Sequence, residues 1–265
     1  MKFASLCYSA LRISRLTTLA RRLQRGGVIL CYHDVVAPDL AERAPTELGL
    51  HMSLETFARQ ARWLAARYDI VPLDALVDRM VQRESLRGTL AITFDDAYAS
   101  AVEHAWPVLR ALRIPATVFV VADAPGRTEG FWWDGAGSAC RPAGWPALVS
   151  AAQAGLRLGA HSVTHPSLPE LDEAGLQREI VESRAVIERH TGVTPEFFAY
   201  PYGHWSERVR DAVRRAGYRG AVTLDYGQNT LATDPWRLRR VNVPAEITDA
   251  AFHAWTAGLA LRGGR

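Results

Sequence analysis

The sequence predicts an α/β fold: a parallel sheet curled into a distorted (β/α) barrel of seven or eight units with helices outside. Three observations carry this expectation. Strand-like and helix-like segments alternate along most of the 265 residues. The strand-like segments are continuously apolar rather than alternating, as strands covered on both faces are. Polar clusters follow several of those strands directly, the place where barrels of this kind keep their functional residues.

The elements can be justified in order. Leu6, Ala10, Ile13, Leu16, Ala20 and Leu23 recur at helical spacing, with most arginines opposite, so residues 1–26 read as a basic amphipathic helix. Its partner is left open between the domain's own surface and a membrane surface. Residues 27–265 read as one globular domain. Gly26-Gly27 punctuates, and Val28–Tyr32 is a first buried strand ending at His33-Asp34. Residues 37–50, with Pro38, Pro45 and Gly49, form a loop. Ser53 caps a helix through Leu64, Tyr68–Val71 is a short strand, and a helix covers Leu73–Gln82. Leu90–Phe94 is a strand that runs into Asp95-Asp96, followed by a helical stretch over Ala101–Leu112. Ala116–Val121 is the strongest strand signal, because it is rich in β-branched residues. Residues 122–144 form a long loop bearing Phe131-Trp132-Trp133-Asp134; loops of this length are often functional.

Pro146 suits the first turn of a helix to Ala154, and Leu156–Ala160 is a strand placed by the alternation. Asp172 caps a long helix that ends at Gly192. Phe197–Tyr200 leads into Pro201-Tyr202-Gly203, and a helix from Ser206 stops at Gly217. Ala221–Thr223 and Arg240–Val243 are the last strands, and Thr248 caps a final helix.

Composition narrows the function classes. With 48% hydrophobic and 22% charged residues the chain has the make-up of an ordinary globular domain, and a net charge of +3 gives no case for nucleic acid as a partner. Cys7, Cys31 and Cys140 are too few and too scattered for a disulfide framework or a zinc knuckle, which fits a reducing, cytoplasmic location. Arg12 and Arg15 interrupt the apolar run that a secretory signal needs, and no stretch approaches the ~20 apolar residues of a spanning helix.

The chemistry rests on a conjunction. Asp95-Asp96 and the pair His161/His165 each follow a predicted strand, so the four side chains are expected to converge on one metal-assisted hydrolytic site. A carboxylate and two imidazoles with open positions left for water suit Zn²⁺ and also Fe²⁺, Co²⁺, Ni²⁺ or Mn²⁺. The other aspartate would serve as general base.

At these residues the chain resembles the polysaccharide deacetylases of the NodB-homology class, carbohydrate esterase family 4. Ile92–Tyr98 resembles the first family motif, with Ala97 where glycine is usual; Gly159–His165 resembles the second; Ala199–Gly203 resembles the third; and Leu30–Asp34 resembles the opening strand. The resemblance spans about residues 27–245. It implies hydrolysis of an N-acetyl group on an acetylated amino sugar of a bacterial surface glycan or its precursor. Independently of it, the interrupted export signal favours a substrate reached from the cytoplasm, and the basic helix allows peripheral membrane contact through residues 1–25. The resemblance implies Asp95 as base, Asp96, His161 and His165 as ligands of a divalent metal, Zn²⁺ first among them, and the backbone N–H of Tyr202 as an oxyanion donor. Two departures are visible. Ala199 stands where many members carry an arginine, for which Arg240 is the candidate substitute, and no Leu-x-His supplies the acid, for which His33 is the candidate. Pro201 of the third motif and the indoles of Trp132, Trp133 and Trp205 are candidate sugar contacts, while His51, His104 and His190 read as structural. Two rivals share the scaffold: another amide hydrolase, such as a deformylase of a sugar lipid, and a catalytically silent glycan-binding protein.

Overall fold

The computed structural model describes residues 8, 16–38, 49–135 and 138–259. Within them the helices are α1 (Leu16–Leu23), α2 (Leu54–Ala65), α3 (Leu73–Val81), α4 (Trp106–Ala111), α5 (Trp145–Gln153), α6 (Glu173–Gln177), α7 (Ser183–Thr191), α8 (Glu207–Arg215) and α9 (Asp249–Thr256). The strands are β1 (Val28–Tyr32), β2 (Asp34–Val36), β3 (His51–Ser53), β4 (Asp69–Ile70), β5 (Thr89–Phe94), β6 (Thr117–Val120), β7 (Arg157–Ala160), β8 (Phe197–Ala199), β9 (Gly220–Val222) and β10 (Val241–Asn242). The predicted caps form: Ser53 accepts from Thr56 N–H, Asp172 from Gly175 N–H and Thr248 from Ala251 N–H.

The sheet is parallel throughout, in the order β10-β1-β5-β6-β7-β8-β9, with β4 pairing the first residues of β5 and β6 its last. Both ends of that row meet in one segment. Leu238 bridges to Val222 of β9, and three residues later Val241 pairs with Leu30 of β1. The barrel is therefore closed through residues 238–242, which sets Arg240 between the first and last strands.

Strand alternation splits the core in two. Leu30, Ile92, Val118, Val120 and Phe198 face the helical layer. Ile29, Ala91, Phe119, Phe197 and Val222 point the other way and pack with Leu73, Leu76, Val77 and Met80 of α3. Gly159 on β7 makes room for this inner layer, since a Cβ there would meet the Phe119 ring at 2.4 Å.

The structure differs from the sequence expectation in three places. The segments on either side of the expected loop over residues 37–50 form β2 and β3, which pair as a small parallel sheet with Asp34 opposite His51. The long helix expected after Asp172 is interrupted by a π-helical turn over Arg178–Glu182, and a similar turn over Ala101–Ala105 precedes α4. Of the helix expected over residues 1–26, residues 1–7 and 9–15 lie outside the described residues, α1 is helical, and residues 24–26 are not helical.

Candidate functional site

Asp95 and Asp96 leave the carboxyl end of β5, where the chain turns sharply: Asp96 and Ala97 take φ of 67° and 56°. Ser162 and His165 after β7, and Tyr202 after β8, also lie in the left-handed region. Five of the seven non-glycine residues with positive φ among the described residues thus lie in these three turns, a concentration characteristic of functional sites.

The turns bring Asp96, His161 and His165 together. Their facing atoms are 3.5 Å (Asp96 Oδ1 to His161 Nε2), 3.6 Å (Asp96 Oδ1 to His165 Nε2) and 3.2 Å (between the two Nε2 atoms) apart. His161 Nδ1 donates to the Ala199 carbonyl at 2.8 Å, which leaves Nε2 as the lone-pair nitrogen aimed at the carboxylate. Asp96 Oδ1 is buried without a hydrogen bond. Three potential ligand atoms at this spacing fit one cation at about 2.0–2.2 Å from each. All three residues are buried.

Asp95 is held differently. Arg240, fully buried, donates from Nη1 to Oδ1 at 2.7 Å and from Nη2 to Oδ2 at 2.6 Å, while its Nε donates to the Thr223 carbonyl at 2.8 Å. Burial opposes ionisation of Asp95, and the Arg240 guanidinium overrides it, holding the carboxyl well below the usual carboxylate range. The Cys31 thiol lies 3.4 Å from Asp95 Oδ2, and His33 also brings a ring nitrogen within 4.8 Å of that carboxylate. Burial pushes the His33 imidazole below its ordinary value, against the pull of Asp96 and Asp95.

The remaining predicted residues divide. The Tyr202 ring stands 4.6 Å from His165, at the rim, on the short turn Pro201–Gly203. Trp132 is 69% exposed, an open indole beside the site loop. Trp133 is a wall: it stacks on Phe131 at 4.5 Å, donates from Nε1 to Tyr98 Oη and lies 4.6 Å from the His165 ring. Trp205 is engaged elsewhere, with the Arg237 guanidinium 3.7 Å over its ring and its Nε1 on Asp225.

Glu179, in the π-helical turn, is a site residue that sequence reasoning missed. Its carboxylate accepts from Val163 N–H, Thr164 N–H and Thr164 Oγ1 at 2.8–2.9 Å, fixing the turn between the two histidines. A charged residue in an amphipathic helix carries no mark of inward aim. Only its place one residue before Ile180, on the apolar stripe, hints at it.

Comparison with known proteins bears on the family and the fold. The sequence model of the polysaccharide deacetylase family matches residues 82–221. YxkH of Bacillus subtilis, a protein named for polysaccharide deacetylation, is 23% identical over 233 residues, 87% of this chain and 76% of its own. Among solved structures, IcaB from Ammonifex degensii superposes with a TM-score of 0.72 at 26% identity, over 89% of this chain and 98% of its own. The Streptococcus pyogenes deacetylase PplD, solved with acetate, gives 0.70 at 20% identity, over 83% of this chain and 93% of its own.

Proposed function

The chain belongs to the polysaccharide deacetylase family, and from that premise we propose a metal-dependent hydrolase that removes N-acetyl groups from an acetylated amino sugar of a surface glycan or its precursor. One observation carries the reading: a carboxylate–imidazole–imidazole set, in which Asp96 Oδ1 is buried without a hydrogen bond, lies beside a second carboxylate locked by a buried arginine.

In this reading Asp96, His161 and His165 hold a divalent cation, with Zn²⁺ first among the candidates. Bound there, it supplies positive charge for the amide oxygen and lowers the pKa of a coordinated water. Asp95 accepts the proton of the attacking water; Arg240 fixes the plane of its carboxylate, so a lone pair keeps one direction. The backbone N–H of Tyr202, held by the tight turn, serves the tetrahedral oxygen. His33 passes a proton to the departing nitrogen, and acetate and the free amine leave. Trp132 offers its open face to a sugar ring, and Pro201 shapes the rim. Arg240 stands in for the arginine absent at Ala199, which weakens the case for a silent glycan-binding protein. The basic N-terminal segment fits a cytoplasmic enzyme that meets an anionic inner-membrane face.

The test is metal analysis of the purified protein combined with acetate release from a panel of N-acetylated sugars, with His161→Ala as control. The expected result is one equivalent of metal, turnover abolished by chelation and restored by a divalent cation, and neither metal nor turnover in the variant. Metal retained in His161→Ala would overturn the ligand set, and formate release from formylated analogues in place of acetate would move the reaction to deformylation.

A further inference from the structure

A second buried polar cluster lies outside the donor set. His51 Nδ1 is 2.8 Å from Asp34 Oδ2 and its Nε2 is 3.1 Å from Asp134 Oδ1, with the three side chains no more than 3% exposed. A carboxylate only accepts, so a neutral ring would set a lone pair against one of the two. The imidazole is therefore the cation between two anions. The outer carboxylate oxygens are engaged as well: Ser100 Oγ donates to Asp34 Oδ1 and Tyr98 Oη to Asp134 Oδ2. Although the Cys140 thiol brings its sulfur within 4.8 Å of His51 and Asp34, every nitrogen and carboxylate oxygen of the trio has a partner, unlike Asp96 Oδ1. The cluster is complete as it stands, which argues for a clamp rather than a second metal centre.

Both ends of the clamp lead to the reaction centre. Asp34 directly follows His33, whose ring reaches Asp95. Asp134 directly follows Trp133, and the Tyr98 hydroxyl that donates to Asp134 accepts from Trp133 Nε1 at 2.8 Å. Trp133 in turn lies against His165. The residues joined are distant in sequence, 34, 51 and 134, and among its described residues the aromatic loop has little regular structure of its own beyond the short turn Trp132–Asp134.

We propose that His51, as an imidazolium bridging Asp34 and Asp134, is a positioning residue for the deacetylase site, setting Trp133 against His165 and His33 against Asp95. The inference rests on the proposed metal-dependent reading, yet it can fail separately. It makes Trp133 a wall that limits how the His165 ring tilts, rather than a sugar platform.

The experiment compares wild type, His51→Gln, Asp134→Asn and Trp133→Phe. Each is loaded with Co²⁺ and read by its visible absorption spectrum, by kcat and KM for acetate release, and by thermal melting. A glutamine is neutral and offers one nitrogen and one carbonyl oxygen where the imidazolium has two donor nitrogens, so His51→Gln is expected to lower kcat at least ten-fold with KM changed less than three-fold. It should also shift the Co²⁺ bands although no ligand is altered. Trp133→Phe keeps the clamp and loses the indole bond, and should reproduce the spectral shift. Wild-type spectrum and kcat in a folded His51→Gln would overturn the proposal. If His51→Gln does not fold, a wild-type spectrum and kcat in Trp133→Phe would overturn it as well. Absence of Co²⁺ binding or turnover in the wild type would instead sink the underlying reading.

Discussion

Arg240 is a fully buried arginine, compensated by one bidentate partner and reaching from the closing segment of the barrel to Asp95. Removing one member of such a pair leaves a buried charge, so Arg240→Met is expected to cost about 3–5 kcal/mol. The double variant Asp95→Asn with Arg240→Met should recover part of that loss in urea unfolding while remaining inactive. Arg240→Lys keeps the charge and loses the fork, and should be the weaker enzyme even where it melts near wild type. His51 gives the second expectation at this scale. Burial works against its charge, but the hydrogen bonds it donates to Asp134 and Asp34 push its value up to about 11, from 6.5. The folded state thus binds its proton more tightly than the unfolded chain. The stabilisation is complete below about pH 6.5 and is lost as the pH rises through about 11. Asp34, Asp134, Tyr98 and Cys140 face the ring, so the measurement is the difference between wild type and His51→Gln in melting temperature from pH 6 to 11. That difference should shrink steadily, and a constant one would contradict a charged ring.

The strands and caps were readable at the level of elements because each is written locally. Ser53, Asp172 and Thr248 cap the helices expected of them, and apolar runs became β1, β5 and β6 within a residue or two at each end. The turns after β5 and β7 were readable through Asp95-Asp96 and His161/His165 in conjunction, since each pair alone has ordinary reasons to occur and the two together follow buried strands of one α/β pattern. What stayed hidden depends on pairing across the chain. The Asp34–His51–Asp134 clamp joins three segments, and β2 and β3 are too short to carry a periodic signal. Glu179 looked like any charged helical residue until the turn over Val163 and Thr164 closed on it. That turn yields an expectation of its own. Glu179→Ala leaves two backbone N–H groups and a threonine hydroxyl without their acceptor, which should cost about 2–4 kcal/mol. It should also weaken metal affinity about ten-fold or more, as losses beyond the ligands themselves commonly do. A competition titration against a chromophoric chelator reads the second effect, and unchanged affinity in a destabilised variant would confine Glu179 to folding.

Across the whole molecule, charge is unevenly placed: residues 1–25 hold six basic and no acidic side chains, more than the entire net charge of +3. The orientation of α1 gives this a physical meaning. A helix packed on its own domain normally buries its leucines. Here Thr17 and Gln24 are buried, Arg21 donates to the Arg67 carbonyl and Arg87 to the Arg22 carbonyl, while Leu16, Leu19 and Leu23 are 47%, 52% and 65% exposed. No helix among the described residues is long and apolar enough to cross a membrane. We propose that this outward leucine stripe flanked by arginines meets a lipid interface, where each basic side chain near an anionic surface contributes about 1 kcal/mol. Sedimentation with vesicles containing anionic lipid should therefore carry the protein down at low salt and release it as salt rises. Leu19→Glu with Leu23→Glu should reduce that binding at least ten-fold and leave turnover of a water-soluble acetylated sugar unchanged, because α1 contributes no side chain to the site. Equal sedimentation of wild type and double variant, or a wild-type dimer that the double variant dissolves, would assign the leucines to another partner.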